Sequence, residues 1–262
     1  MAQINEKKYF LNATEQDLAP NYPSLDDIVL KAVSCNARSF EFIDISNSVP
    51  SSTQYIQTKG TIRHDGSISG TFELNSNGYF AQNDRRNYKI EKTDIFDKRL
   101  KDSSLEHELT EITQTEKVKK SGTSFNFDCG FTIEDGTTSA GNRIYFSPIL
   151  FSPLNSNPFT AESRKFRIDF AFPYKQIYLY EYEIPLGYSV EEIPESLSMR
   201  LSNGDITATV GFEQNENIIS VRQQFQIKKT TFNKENYESI RELFDEYINA
   251  VNAEIVLKEV SN

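Results

Sequence analysis

The last third of the chain limits the possible folds most, because apolar and polar residues alternate there over several segments. Tyr178, Tyr180 and Tyr182 occupy every second position, and residues 218–227 alternate in the same way. A period of two places alternate side chains on one face of a β-strand. Asn203-Gly204 is a dipeptide suited to a tight hairpin turn. This part of the chain therefore predicts an antiparallel sheet.

One amphipathic helix is predicted to follow these strands. It begins after Asn233, a residue that can cap a helix, and is expected to continue to Lys258. Apolar residues recur at helical spacing within it, at Tyr237, Ile240, Phe244, Tyr247, Ile248 and Val251. Such a stripe must cover a sheet face, so the helix closes the C-terminal module.

The middle of the chain predicts a second set of strands, near 54–62, 68–74, 109–115, 124–133 and 143–146. Asp65-Gly66 supplies turn chemistry between the first two. Phe125, Phe127, Cys129 and Phe131 alternate strictly, as in a half-buried strand. The charged residues 84–103 contain apolar members at intervals typical of an amphipathic helix.

Prolines mark the clearest boundary, since Pro148, Pro153 and Pro158 must interrupt regular structure. We therefore predict a first β-rich domain over 45–152 and a C-terminal β-rich domain over 153–262. The expected fold class is α+β, mostly β: two consecutive antiparallel, sandwich-like modules, each with a helix. The hydrophobic core of each module is expected to be complete.

The N-terminal residues 1–44 do not resemble a domain, and we interpret them as the trailing strand of an upstream core plus a connector. The segment is polar and lacks the pattern of a signal peptide. A start within a strand suggests a piece of a longer protein. No run of about 18 apolar residues exists, so no membrane span is predicted. The net charge of −10 argues against a nucleic-acid partner.

Residues able to perform chemistry are few. Cys35 and Cys129 have no metal-ligand or CxxC spacing, so two free thiols are expected, with a single disulfide as the alternative. Neither His64 nor His107 lies in a recognised motif, and Cys129 with His107 is a nucleophile pair only if the fold brings them together. No glycine-rich loop opens a helix. No cofactor and no metal are therefore predicted.

Acidic residues offer two weaker interpretations. The turns at 134–137 and 203–205 contain oxygen ligands for calcium, although ordinary turn chemistry is favoured for both. Glu181 with Glu183, or Glu191 with Glu192, would be the carboxylate pair of a glycosidase only if two carboxyl groups converge in a cleft. Arg143 and residues 164–167 border the proline-rich segment, and two interpretations stay open: they hold a carboxylate from a neighbouring domain, or they lie in solvent.

Four segments carry a resemblance to a known family: 9–15 (YFLNATE), 142–154 (NRIYFSPILFSPL), 164–174 (RKFRIDFAFPY) and 182–195 (YEIPLGYSVEEIPE). Together with the final helix they resemble the C-terminal part of bacterial transglutaminase-like proteins, in which uncharacterised domains follow a papain-like core. The resemblance is most specific in the last 120 or so residues.

The resemblance implies a role and a compartment. Asn12 stands where the family pattern places the acidic member of a Cys-His-Asp triad, and an asparagine can also orient a histidine. The Cys and His of that triad would lie upstream of Met1, so this polypeptide alone is expected to be inert as a transglutaminase or protease. The resemblance also implies a periplasmic or extracellular location, with the upstream core as partner.

Three functional hypotheses follow. The first is a non-catalytic accessory segment of a larger transglutaminase-like envelope protein. The alternative is a glycan- or peptide-binding β-sandwich module at the cell envelope, with an envelope protein or a glycan as partner; it depends on exposed tyrosines at 178, 180 and 182. The third is a hydrolase built on the acidic strands.

Overall fold

The computed structural model describes residues 2–4, 7–11, 15, 18–19, 21–29, 31–35, 37–45, 49–90, 99, 109–114, 120–121, 123–152, 154, 156–201 and 204–260. In chain order the elements are β1 (Ala2–Ile4), β2 (Lys7–Tyr9), β3 (Ala32–Cys35), β4 (Phe40–Ile43), β5 (Ser52–Ile62), β6 (Ile68–Asn77), α1 (Tyr79–Ile90), β7 (Leu109–Gln114), β8 (Lys120–Ser121), β9 (Ser124–Ile133), β10 (Thr138–Ala140), β11 (Arg143–Phe146), β12 (Ile168–Asp169), β13 (Tyr174–Glu183), β14 (Tyr188–Glu192), β15 (Leu197–Leu201), β16 (Ile206–Asn215), β17 (Ile218–Ile227), β18 (Thr231–Phe232), α2 (Tyr237–Val251) and β19 (Ile255–Glu259). The predicted fold class, α+β and mostly β, is confirmed.

One large sheet organises the molecule. Its strand order is β15-β16-β17-β13-β5-β6-β9-β7, and β8 also pairs with β9. Neighbours are antiparallel except β13 and β5, which run parallel in register from Tyr174 opposite Ser52 to Glu183 opposite Thr61. The parallel pair joins the strands that precede the proline-rich segment to those that follow it.

The core also crosses that segment. A single hydrophobic cluster contains Phe72 and Phe131 from the earlier strands together with Tyr180, Phe225 and Phe244 from the later part of the chain. The division into domains at 152/153 stays a prediction, but the expectation of a separate core on each side was wrong. Alternation identifies the buried face of a strand without showing which other strands share that face.

One face of the large sheet is covered and the other is open. Helix α1 contacts β5, β6 and β9, and helix α2 contacts β15 and β16. The four-stranded sheet β10-β11-β19-β14 contributes buried Ile144, Phe146, Ile255 and Leu257 to the same cluster. Positions on the opposite face of β5 are half-buried or exposed, as the predicted alternation requires.

The proline-rich segment is part of the core. Strands and helices are absent from its described residues between 147 and 159, as predicted. Its Ile149, Leu150, Phe151 and Phe159 are nevertheless buried. Because their backbone groups have no sheet or helix partners, they need side-chain partners instead.

Tyrosines of β13 supply such partners to Phe151 and to Pro148. Tyr180 donates its hydroxyl hydrogen to the carbonyl of Phe151 (2.6 Å) and accepts a bond from the Phe151 N–H (3.3 Å). Tyr182 donates to the carbonyl of Pro148 (2.7 Å). Burial raises the pKa of both phenols well above the usual value. The aromatic strand therefore fixes the irregular segment to the sheet.

The closing helix differs from the prediction at both ends. A 3-10 turn (Lys234–Asn236) follows Asn233, whose side chain makes no capping hydrogen bond, and α2 itself ends at Val251. Residues predicted to extend the helix form β19, which pairs with β11 and β14. A short Ile-Val-Leu run is compatible with a helix or a strand, so the strand partners available in the fold determine which of the two forms. The apolar stripe of α2 is buried as predicted.

Candidate functional site

The hairpin of β3 and β4 forms a small sheet of its own, separate from the large one. Val33 lies opposite Phe42, and Cys35 lies opposite Phe40. Side chains at i and i+2 share a face, so these four residues form one surface, which we call the hairpin face. The rings of Phe40 and Phe42 pack edge to face with centroids 6.1 Å apart.

The hairpin face is open to solvent. Val33 is 53% exposed, Phe40 68% and Phe42 67%, and Cys35 is a free, exposed thiol. A cavity of about 390 Å³ adjoins it, lined partly by Phe10, Leu11 and Pro23. Contiguous exposed apolar surface of this kind is characteristic of an interaction site.

The opposite side of the hairpin is packed. Ala32 and Ile43 lie against a small cluster of buried residues, Tyr22, Ile45, Val49 and Tyr79. Tyr79 begins helix α1, and its hydroxyl donates to the carbonyl of Pro23 (2.6 Å). The hairpin is therefore fixed to the body through one face and presents the other.

A polar contact holds the same region to α1. The Glu15 carboxylate accepts hydrogen bonds from Gln82 (2.6 Å), Arg86 (3.3 Å) and the hydroxyl of Ser24. This network crosses from the N-terminal residues to the helix. No motif in the sequence indicated it, because its members are up to 71 positions apart.

The predicted catalytic candidates do not converge in the described part of the structure. Asn12 and His107 lie outside the described residues. Cys129 points into the core as its alternation predicted, and burial, with a smaller contribution from Asp128, raises the pKa of its thiol to about 12. A thiol at that pKa is protonated at neutral pH and is a poor nucleophile. His64 is exposed, and its ring lies 5.8 Å from that of Tyr188.

The tyrosines proposed as a ligand surface are buried. Tyr178 is 2% exposed, and Tyr180 and Tyr182 are fully buried. Tyr178 donates to Gln54 (2.6 Å) and accepts from Gln176 (2.9 Å). The observation on which the glycan- or peptide-binding alternative depended is therefore contradicted.

The carboxylates lie in two different settings. Glu181 and Glu183 border an open depression of about 510 Å³ on the outer sheet face, where Lys59 pairs with Glu181 at 2.9 Å. Glu191 is held by Arg143 and by Lys258, and the Arg143 hydrogen bond is the main cause that lowers its pKa to about 2. A glycosidase acid needs a raised pKa, so Glu191 is unsuited to that role.

The two acidic turns belong to hairpin and loop structure. Thr137 donates its hydroxyl hydrogen to the Gly66 carbonyl (3.1 Å), so the 134–137 turn packs on the β5–β6 turn. At the other turn, Asn203 lies outside the described residues, and the Asp205 N–H donates to the Leu201 carbonyl (3.1 Å). Within the described residues, no group of three or more His, Cys, Asp or Glu is arranged to hold a metal ion.

Comparison with known proteins finds a match to one family model. Residues 142–257 match the family model described as a domain of unknown function with a solved structure, DUF3858. The matched range opens at β11 and closes in β19, two strands that pair with each other. No curated protein matches the chain.

A solved structure with similarity to the chain is described as a putative protease from Parabacteroides distasonis ATCC 8503. The sequence identity is 16% and the TM-score 0.33, and the similarity covers 38% of this chain and 20% of that one. The chain thus spans about a fifth of the length of that protein.

In the described residues, no helix is both long and apolar enough to cross a bilayer.

Proposed function

We propose that this chain is a non-catalytic accessory segment of a larger transglutaminase-like envelope protein, and that the hairpin face packs against the core of that protein. The exposed hairpin face carries the proposal. It consists of four neighbouring side chains, Val33, Cys35, Phe40 and Phe42. Their apolar surface is in contact with water, and covering it with a partner would lower the free energy. A neighbouring domain in the same polypeptide pays little entropy to cover such a surface, because it is already tethered.

The likeness of 142–154 and 182–195 to the family supports the identity of that parent protein. Because Tyr178, Tyr180 and Tyr182 are buried, we interpret them as structural residues. This interpretation agrees with an accessory segment. The periplasmic or extracellular location belongs to the same proposal.

Cys35 provides a direct test of the covered surface. It sits within the hairpin face, while the buried, high-pKa Cys129 serves as an unreactive internal control. We expect rapid maleimide labelling of Cys35 in this chain. Labelling should slow at least tenfold in a longer protein, in which this chain is preceded by the polypeptide that its gene encodes upstream of Met1.

Two variants make the test specific. Phe40→Glu should restore fast labelling of Cys35 in the longer protein by disrupting the contact. Leu186→Glu, at an 88% exposed position outside the hairpin, should leave protection intact. Equal labelling rates in the two proteins, or a gene that begins at Met1, would refute the proposed packing.

Catalysis is tested separately. We expect no amide hydrolysis and no acyl transfer by this chain above the background rate. Turnover abolished by Cys129→Ala would overturn the non-catalytic assignment, whatever the labelling experiment shows.

A further inference from the structure

Residues 160–167 form an exposed loop, which we call the basic loop. It contains Arg164, Lys165 and Arg167 within four positions, and between them Phe166 is 79% exposed. Arg167 pairs with Asp169 (2.8 Å), whereas Arg164 and Lys165 form no ion pair with any residue that the structure describes. Arginine and aromatic residues are enriched among the side chains that dominate binding energy.

Both ends of the basic loop are held against helix α2. Before the loop, the ring of Phe159 packs on that of Phe244 at 5.0 Å. After it, Phe170 stacks on the same Phe244 at 6.4 Å. Within it, the carbonyl of Ala161 accepts a hydrogen bond from Tyr237 (2.8 Å). A loop fixed at both ends loses little conformational entropy on binding.

Helix α2 presents the opposite charge beside this loop. Its exposed side carries Glu238, Glu242, Asp245 and Glu246, which we call the acidic face. Ala161 also accepts a bond from Arg241 (3.3 Å), and Asn157 binds Asp245 (2.7 Å), so the loop base lies against the same helix turns. A cationic aromatic loop and an anionic surface are therefore adjacent on one molecule.

We propose that this surface binds a second copy of the chain in a two-fold arrangement, with the basic loop of each copy on the acidic face of the other. A two-fold interface uses the same patch on both subunits, so the patch must be complementary to itself. Adjacent patches of opposite charge meet that requirement. An anionic lipid surface fits less well, because the chain carries a net charge of −10 and the acidic face adjoins the loop.

Sedimentation equilibrium of the chain tests the proposal, at roughly 1 to 200 μM protein, a range suited to a small interface. We expect a monomer–dimer equilibrium that weakens when the salt concentration rises from about 50 to about 500 mM, because exposed charge pairs are screened. Phe166→Ala should raise the dimer dissociation constant about tenfold, as for a central aromatic contact. Leu186→Ala, at an exposed position elsewhere, should leave it unchanged.

Charge reversal gives the most specific readout. A variant with Arg164→Glu and Lys165→Glu should be monomeric, and so should a variant with Glu238→Lys and Glu242→Lys. An equimolar mixture of the two should form heterodimers, since each loop then meets an oppositely charged helix. Circular dichroism and thermal melting verify that both variants are folded.

The outcomes separate the possible occupants. A wild-type chain that stays monomeric throughout, or a dimer insensitive to all these substitutions, would overturn the proposal. So would binding of a monomeric chain to phosphatidylserine-containing vesicles that Phe166→Ala abolishes, because the loop would then serve a membrane surface. Dimers that form in the equimolar mixture of the two charge-reversed variants, but in neither variant alone, would establish the two-fold contact.

Discussion

Removing the hydroxyl group of Tyr180 tests how the proline-rich segment is held. In Tyr180→Phe, the carbonyl and the N–H of Phe151 both lose their hydrogen bond to the Tyr180 hydroxyl, within a buried site. Removing a hydrogen bond from a buried backbone group costs about 1–3 kcal/mol, and the longer of these two bonds contributes less. We therefore expect the free energy of unfolding to fall by about 2–4 kcal/mol.

Two matched variants calibrate that value. Tyr182→Phe removes one bond, to the Pro148 carbonyl, and should cost about 1–2 kcal/mol. Tyr145→Phe changes a half-exposed ring in β11 and should stay within about 0.5 kcal/mol of the parent.

Equilibrium unfolding in urea measures all three proteins. Unchanged m-values would show that the surface exposed on unfolding is the same, so that the midpoints report stability alone. The reasoning fails if Tyr180→Phe lies within about 0.5 kcal/mol of the wild type, or if it is no less stable than Tyr145→Phe.

Three further predictions concern glycine packing and titration. Gly70→Ala should lower the free energy of unfolding, measured in urea, by more than about 3 kcal/mol, because the added Cβ would lie 1.9 Å from the Lys59 carbonyl oxygen. The control Gly141→Ala has open space around the added Cβ but a φ of +64°, and it should lower the free energy of unfolding by only about 1 kcal/mol. Equal losses in the two variants would contradict the clash at Gly70. Stability should fall as the pH rises above about 10, since the buried Tyr180, Tyr182 and Tyr247 have raised pKa values and the unfolded chain releases protons first; the tyrosinate absorbance of these three residues should therefore appear only together with unfolding. In NMR titration the Glu191 carboxyl should titrate near pH 2 and move toward 4.5 in Arg143→Ala; an unmoved pKa would exclude the ion pair as the cause.

Local patterns were enough to locate most strands. β5, β6 and β9 lie close to where alternation and the Asp65-Gly66 turn predicted them. Helix α1 begins at Tyr79, before the charged residues 84–103 that suggested a helix, and residues 91–98 and 100–103 of that prediction lie outside the described residues. Tyr79 is buried, and its N–H is bound by the Ser52 hydroxyl (3.0 Å), a contact across 27 positions that no local pattern contains.

The candidate site was not predictable from the same patterns. Phe40 and Phe42 look like ordinary core residues in a short strand, because a sequence shows that residues share a face and not whether that face is covered. Their exposure becomes visible only when the hairpin is placed against Tyr22 and Tyr79. Likewise, the tyrosines of β13 suggested a binding surface until their burial was known.

By itself the sequence determined the local periodicities: which segments extend, where turns occur, which side chains point together and where prolines end regular structure. The tertiary structure decided the parallel pairing of β13 with β5, the change of Ile255–Glu259 from predicted helix to strand, and the hydroxyl bonds from Tyr180 and Tyr182 to the proline-rich segment. These features depend on partners distant in the chain. Hydrogen bonds and burial are satisfied by whichever groups the fold brings near, and periodicity within one segment carries no record of them.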